Sequence, residues 1–127
     1  MEPSTRDSFC PQFQKAIELI GRRWSGTILR ALMGSPLRFS EISARIPEIS
    51  DRSLSARLKE LEAEAVVVRR VEATQPVSVS YELTEKGRAL GAVIAEVERW
   101  AHDWVASPEA AASEARRPGA GATLAGT

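Results

Sequence analysis

Ser50-Asp51-Arg52-Ser53-Leu54-Ser55-Ala56-Arg57-Leu58-Lys59-Glu60-Leu61 is the stretch that decides the fold. Its leucines stand at 54, 58 and 61, the i, i+4, i+7 spacing that gathers side chains on one face of an α-helix. Ser50, just ahead of the run, is an expected N-cap, because its hydroxyl can accept from an unpaired amide of the first turn. Setting the leucines inward fixes everything else at about 100° per residue. Arg52, Ala56 and Lys59 then point outward, with Ser53 and Ser55 on the flanks. Arg57 lies close to the buried face, where it is expected to hold the domain together through Glu41 or Glu48.

Upstream, Phe39-Ser40-Glu41-Ile42 opens a shorter helix with Ser40 as its expected N-cap. Pro47 stops that helix near Ile46, since the residue before a proline is pushed out of the helical region. Trp24, Ile28, Leu29 and Leu32 form the stripe of a further helix, opened by Trp24 and closed by Gly34 and Pro36. A first helix runs from Gln12 to Ile20 on the spacing of Phe13, Ala16, Ile17 and Ile20, and Gly21 ends it.

Downstream the period changes. Val66-Val67-Val68 is β-branched, Thr74-Gln75-Pro76 is turn-like, and Val77, Val79, Tyr81 and Leu83 alternate with polar residues, which predicts a β-hairpin. Thr84 caps a last helix to about Val105, with Leu90, Val93, Ile94, Val97, Trp100 and Trp104 as its apolar positions. Short helix, turn, amphipathic helix and hairpin make a helix-turn-helix with a wing. The expected class is α+β, mainly α. The organisation expected is a flexible leader over 1–9, a winged helix-turn-helix domain with N- and C-terminal dimerisation helices over 10–105, and a disordered Ala/Gly/Pro-rich tail over 106–127.

Net charge is zero over the whole chain, but its distribution is not even. Between Lys15 and Lys59 nine Lys or Arg face four Asp or Glu, and between Glu60 and Glu114 five face eleven. A basic surface therefore belongs to the first half. No apolar run approaches the roughly 20 residues that span a bilayer, so no membrane partner is expected. A start without a signal-peptide core and a single cysteine, Cys10, fit a cytoplasmic protein without disulfides. Catalysis finds no support either. The one histidine, His102, has only Asp103 beside it, and adjacent helical residues do not face each other. With no metal-ligand cluster and no glycine-rich phosphate loop, neither metal nor cofactor is expected.

The residues Cys10-Pro11, Ile20-Gly21-Arg22-Arg23-Trp24 and Ile28-Leu29-Arg30 resemble the opening of the HxlR family of bacterial winged-helix regulators. The resemblance continues through Arg38-Phe39-Ser40-Glu41-Ile42, Ile46-Pro47-Glu48-Ile49-Ser50 and Leu54 to Glu62, and ends in Tyr81-Glu82-Leu83-Thr84-Glu85-Lys86-Gly87. It covers residues 10–105 and implies dimeric DNA-binding regulators whose outer helices form the interface. Two positions depart from that pattern. Ala65 stands where the family usually has a glycine to end the helix, so the helix is expected to run on or end differently. Ser78 stands where its wing often carries an arginine.

The expected function is a homodimeric, sequence-specific transcription regulator on a pseudo-palindromic double-stranded operator. Ser50, Arg52, Ser53, Ser55, Ala56 and Lys59 are its candidate DNA contacts, with Arg38, Arg22 and Arg23 adding backbone contacts. Phe13, Ile17, Val93, Val97, Trp100 and Trp104 are the candidate dimer interface. An aromatic cleft there could admit a planar small-molecule effector. Cys10 occupies a position that, in some members of the resembling family, senses quinones, aldehydes or oxidants; such a thiol needs thiolate character and access to solvent. The alternative is a winged-helix module for protein–protein assembly with weak or lost DNA binding, which Ala65, Ser78 and the neutral total favour and which Arg52, Lys59 and the basic first half oppose.

Overall fold

The computed structural model describes residues 9–106. The expected leader and tail therefore lie outside the described residues, apart from Phe9 and Ala106, both exposed. Five helices and a hairpin follow in the order α1 (Pro11–Gly21), α2 (Ser25–Leu32), α3 (Phe39–Arg45), α4 (Asp51–Ala63), β1 (Val67–Glu72), β2 (Ser78–Leu83) and α5 (Glu85–Trp104). The chain divides into two units at Ala95/Glu96, inside α5.

The core of the first unit is aliphatic. Ile28, Leu29 and Leu32 from α2, Ile42 from α3, and Leu54, Leu58 and Leu61 from α4 meet Val66, Val67 and Leu83 at the base of the hairpin. Each fully buried leucine contributes about 2 kcal/mol, so the leucine face of α4 outweighs any surface contact that helix makes.

Two helix starts differ from the sequence expectation. α3 is capped by Arg38 rather than Ser40, which lies inside the helix. The Arg38 backbone N–H donates to Glu41 Oε1 at 2.7 Å, so the glutamate three residues on satisfies the entry amide. Trp24 does not sit in α2 but caps it in the left-handed region, at φ 74°. That conformation costs a non-glycine residue about 1–2 kcal/mol. The half-buried ring packs against the core, and the Arg23 guanidinium lies 5.2 Å from its centroid. α4 starts as expected, with Ser50 Oγ accepting from Ser53 N–H at 3.1 Å.

The end of α4 carries the largest surprise. The helix does not run on; it stops at Ala63, and Ala65 takes the left-handed turn at φ 62° without being a glycine. The Ala65 N–H donates to Glu62 O at 2.9 Å and the Val66 N–H donates to Leu61 O at 3.1 Å, the paired bonds of a Schellman ending. Buried Leu61 and Val66 supply its apolar contact. The start of α5 then clasps this ending. Thr84 Oγ1 donates to Ala65 O at 2.6 Å, Thr84 N–H to Val66 O at 3.1 Å, and Lys86 Nζ to Glu64 O at 2.7 Å. Thr84 is also the expected cap, its hydroxyl accepting from Gly87 N–H at 3.0 Å. Gly87 is required there, because a Cβ would stand 2.0 Å from Val66 O.

β1 and β2 pair antiparallel from Val67↔Leu83 to Glu72↔Ser78. Leu37 adds a bridge to Tyr81, giving and taking a backbone bond at 3.0 and 2.8 Å. The residue before Arg38 is thus part of the wing's sheet. In the second unit the described residues are the last turns of α5, where Arg99 pairs with Glu96 at 3.0 Å.

Candidate nucleic-acid interface

The outward row of α4 lies where the leucine spacing placed it. Arg52, Ala56 and Lys59 are exposed, while Ser53 and Ser55 are half-buried on its flanks. Ser50 is exposed but committed, since its hydroxyl oxygen already caps the helix. Ser43 Oγ donates to Asp51 Oδ1 at 3.2 Å, tying α3 to the first turn of α4. Beside that turn opens a cleft of about 530 Å³, lined among others by Arg22, Arg23, Trp24, Ser50 and Arg57.

Charge in this region is partly spoken for. Glu60 receives both Arg22 Nη2 at 2.8 Å and Arg57 Nη1 at 2.6 Å. Arg57 therefore anchors to Glu60, not to Glu41 or Glu48. The reason is geometric: three residues along a helix puts Glu60 on the same face, one turn away. The two pairs differ in how readily they open. The Arg22 side chain is 52% exposed, and an exposed pair contributes about 0–1 kcal/mol, so this guanidinium is readily released. Arg57 is only 20% exposed and stays with its partner.

Arg38 is exposed and lines a cleft with the hairpin turn. Among the sequence candidates, Arg52, Ala56 and Lys59 thus share one face with Ser53 and Ser55 at its edges, whereas Arg38 belongs to the wing side. Cys10 caps α1 and is half-buried, its Sγ 3.5 Å from Gln12 Oε1. Arg22 and Arg23 follow the far end of α1, and they are engaged by Glu60 and the Trp24 ring.

The six candidate interface residues are all between 46% and 75% exposed. Phe13 and Ile17 sit one turn apart on α1, a helix with no buried residue. On α5, Val93 lies in the first unit, and Val97, Trp100 and Trp104 follow at i, i+3 and i+7 in the second, a spacing that puts the three on one face of the helix. His102 is exposed, and no group of three His, Cys, Asp or Glu residues suited to a metal occurs among the described residues. No described helix is long and apolar enough to cross a membrane.

Sequence reasoning missed the Glu60 bridge, the left-handed Trp24 and the Lys86 clasp. Only the last left a readable signal, in the Thr-Glu-Lys-Gly run that opens α5.

A family model for the HxlR-like helix-turn-helix matches residues 19–109. The chain is 44% identical over 100 residues to the uncharacterised HTH-type transcriptional regulator YvaP of Bacillus subtilis, covering 79% of this chain and 93% of that one. It is 48% identical over 95 residues to the HTH-type transcriptional regulator YodB of the same organism, covering 75% and 85%. The reduced form of YodB superposes with a TM-score of 0.71 at 47% identity, over 76% of this chain and 95% of that one. YodB has also been solved bound to quinone, which superposes with a TM-score of 0.66 at 46% identity, over 76% and 100%. The oxidised form of the redox regulator HypR gives a TM-score of 0.72 at 32% identity, over 77% and 100%.

Proposed function

The chain belongs to the HxlR-like helix-turn-helix family, and from that premise we propose that it is a homodimeric, sequence-specific DNA-binding transcription regulator. One observation carries the reading: a capped, leucine-anchored helix presents Arg52, Ala56 and Lys59 in a single exposed row. An arginine early in such a helix pairs bidentately with guanine, and a lysine farther along meets a phosphate. Ser53 and Ser55 flank the bases, Arg22 and Arg23 serve the backbone, Ser50 donates its remaining hydroxyl hydrogen to a phosphate, and Arg38 meets DNA from the wing side. The protein acts without catalysis, in the cytoplasm.

The partner that completes the reader is a second copy. Phe13 and Ile17 on α1, and Val93, Val97, Trp100 and Trp104 on α5, are exposed apolar surface that a lone chain leaves in water. A two-fold dimer fits a pseudo-palindromic operator. Regulation acts through Cys10 or through a small aromatic ligand. The support is the half-exposed thiol at the cap of α1, together with relatives solved in quinone-bound and oxidised forms.

The test is binding of the purified chain to fluorescent DNA from upstream of its own gene, against a scrambled duplex, across a salt series. A preference of a few kcal/mol with affinity falling steeply in salt is the expected result. Weak binding, equal for both duplexes, would leave two readings: an operator elsewhere, or a winged-helix module that engages protein partners.

A further inference from the structure

The tip of the wing, residues 73–79, contains no charged side chain. It nevertheless has a cation at its flank. A cleft of about 330 Å³ is walled on one side by the hairpin turn from Thr74 to Val79 and on the other by Arg38, the only charged residue of its lining.

The root of Arg38 is fixed on both sides. Leu37, 5% exposed, is bonded in both directions to Tyr81 of β2, at 3.0 and 2.8 Å. Phe39 packs against the core, and the Arg38 amide is held by Glu41 at 2.7 Å. The tip is braced as well, with Thr74 Oγ1 donating to Pro76 O at 2.6 Å. An exposed guanidinium is therefore carried beside a hairpin that stands out from the domain, every residue from Arg69 to Val77 being exposed.

We infer that Arg38 and the uncharged wing tip act together as a minor-groove reader, so that the protein prefers A·T pairs at the flanks of its site. The inference rests on the reading of the α4 face as the DNA-binding surface; the wing begins at Val67, directly after α4 ends at Ala63. A narrow A·T-rich minor groove concentrates negative potential and draws in an arginine. A G·C pair widens the choice against it, because the guanine amino group protrudes into that groove. An uncharged tip enters alongside without claiming a phosphate of its own. Arg38 then contributes sequence preference, where a plain phosphate contact would contribute only affinity.

The experiment uses the full chain and duplexes selected on it from a random pool. The flanking A·T pairs are replaced by G·C or by inosine·cytosine. Inosine·cytosine shows the major groove of G·C but lacks the protruding amino group, so its minor groove resembles that of A·T. The expected result is equal binding of A·T and inosine·cytosine flanks and roughly tenfold weaker binding of G·C flanks. Arg38→Ala should bring the three duplexes within about twofold of one another while leaving the preferences at the centre of the site intact. A thermal melt of Arg38→Ala checks that the fold is kept.

Equal binding of all three flanks by the unaltered chain overturns the inference and leaves the α4 reading standing. So does equal weakening of inosine·cytosine and G·C, which would place the contact in the major groove. Uniform weakening of every duplex by Arg38→Ala, with a flatter salt dependence, would reduce Arg38 to a phosphate contact. Failure to select any duplex removes the α4 reading and the inference with it.

Discussion

The hydroxyl of Thr84 donates to the carbonyl oxygen of Ala65 at 2.6 Å, fastening the first residue before α5 to the turn that ends α4. The turn is left-handed at an alanine, φ 62°, and it is made by bonds on every side. Its strain is held in place by the helix it follows and the helix it meets.

Ala65→Gly should therefore stabilise the protein. Relief of the left-handed alanine is worth about 1–2 kcal/mol, and the greater freedom of glycine in the unfolded chain takes back about 0.5–1. The net is about 0–1.5 kcal/mol, and the middle of that range corresponds to a rise of about 3–4 °C in Tm for a domain of this size. A thermal melt of the two proteins measures it, and a fall in Tm would show that the turn is not strained.

Arg52 and Lys59 should separate in their effects on DNA. Arg52→Ala is expected to cost about 1–3 kcal/mol and to relax preference at one base pair. Lys59→Ala should weaken all sequences alike and lower the salt slope by about one. Titrations against single-base variants of the selected duplex distinguish the two; identical profiles would remove base reading from Arg52.

Trp100→Glu places a charge in the middle of the α5 stripe. The side chain is 60% exposed, so the fold of the single chain should survive. Light scattering after size exclusion should show a monomer for the variant and a dimer for the unaltered chain. Operator affinity should fall by roughly a hundredfold, because the two half-sites are no longer bound by one molecule. A persistent dimer would place the interface elsewhere.

Cys10→Ser should leave DNA binding in reductant unchanged and abolish release on treatment with a quinone or diamide. Binding titrations with and without oxidant read this directly. The same release in both proteins would clear the thiol and point to ligand binding at another surface.

How much of this was legible beforehand depends on whether a feature is local. Leu54, Leu58 and Leu61 announced α4 and its outward row, since helical periodicity needs no tertiary information. Ser50 and Thr84 announced their caps for the same reason. Ser40 misled, because Glu41 reached back to the Arg38 amide and moved the helix start to a residue with no capping side chain of its own. Trp24 could not be read as left-handed, as the ring's packing against the core overrides the backbone preference of a bulky residue. The Arg22–Glu60 contact joins residues 38 apart, and the cleft between Arg38 and the wing tip joins residues that the Leu37–Tyr81 bridge helps bring together. No spacing rule reaches that far. Ala65 is the instructive middle case: its departure was visible, but the chain kept the turn and absorbed the strain.

One consequence follows from Lys86. The macrodipole of α4 wants acidic groups at its start and cations at its end. The helix does carry Asp51 in its first turn, but its last turn has no basic residue and holds Glu60 and Glu62, with Glu64 just beyond. The ammonium of Lys86, donating to Glu64 O, is the positive end that α4 lacks. At 13 residues the helix is also near the length below which an isolated helix is marginal in water. The α4 helix is thus not a freestanding module placed on a scaffold. It is a helix whose terminal charge is lent by the next one, so an excised helix-turn-helix peptide would not keep its shape.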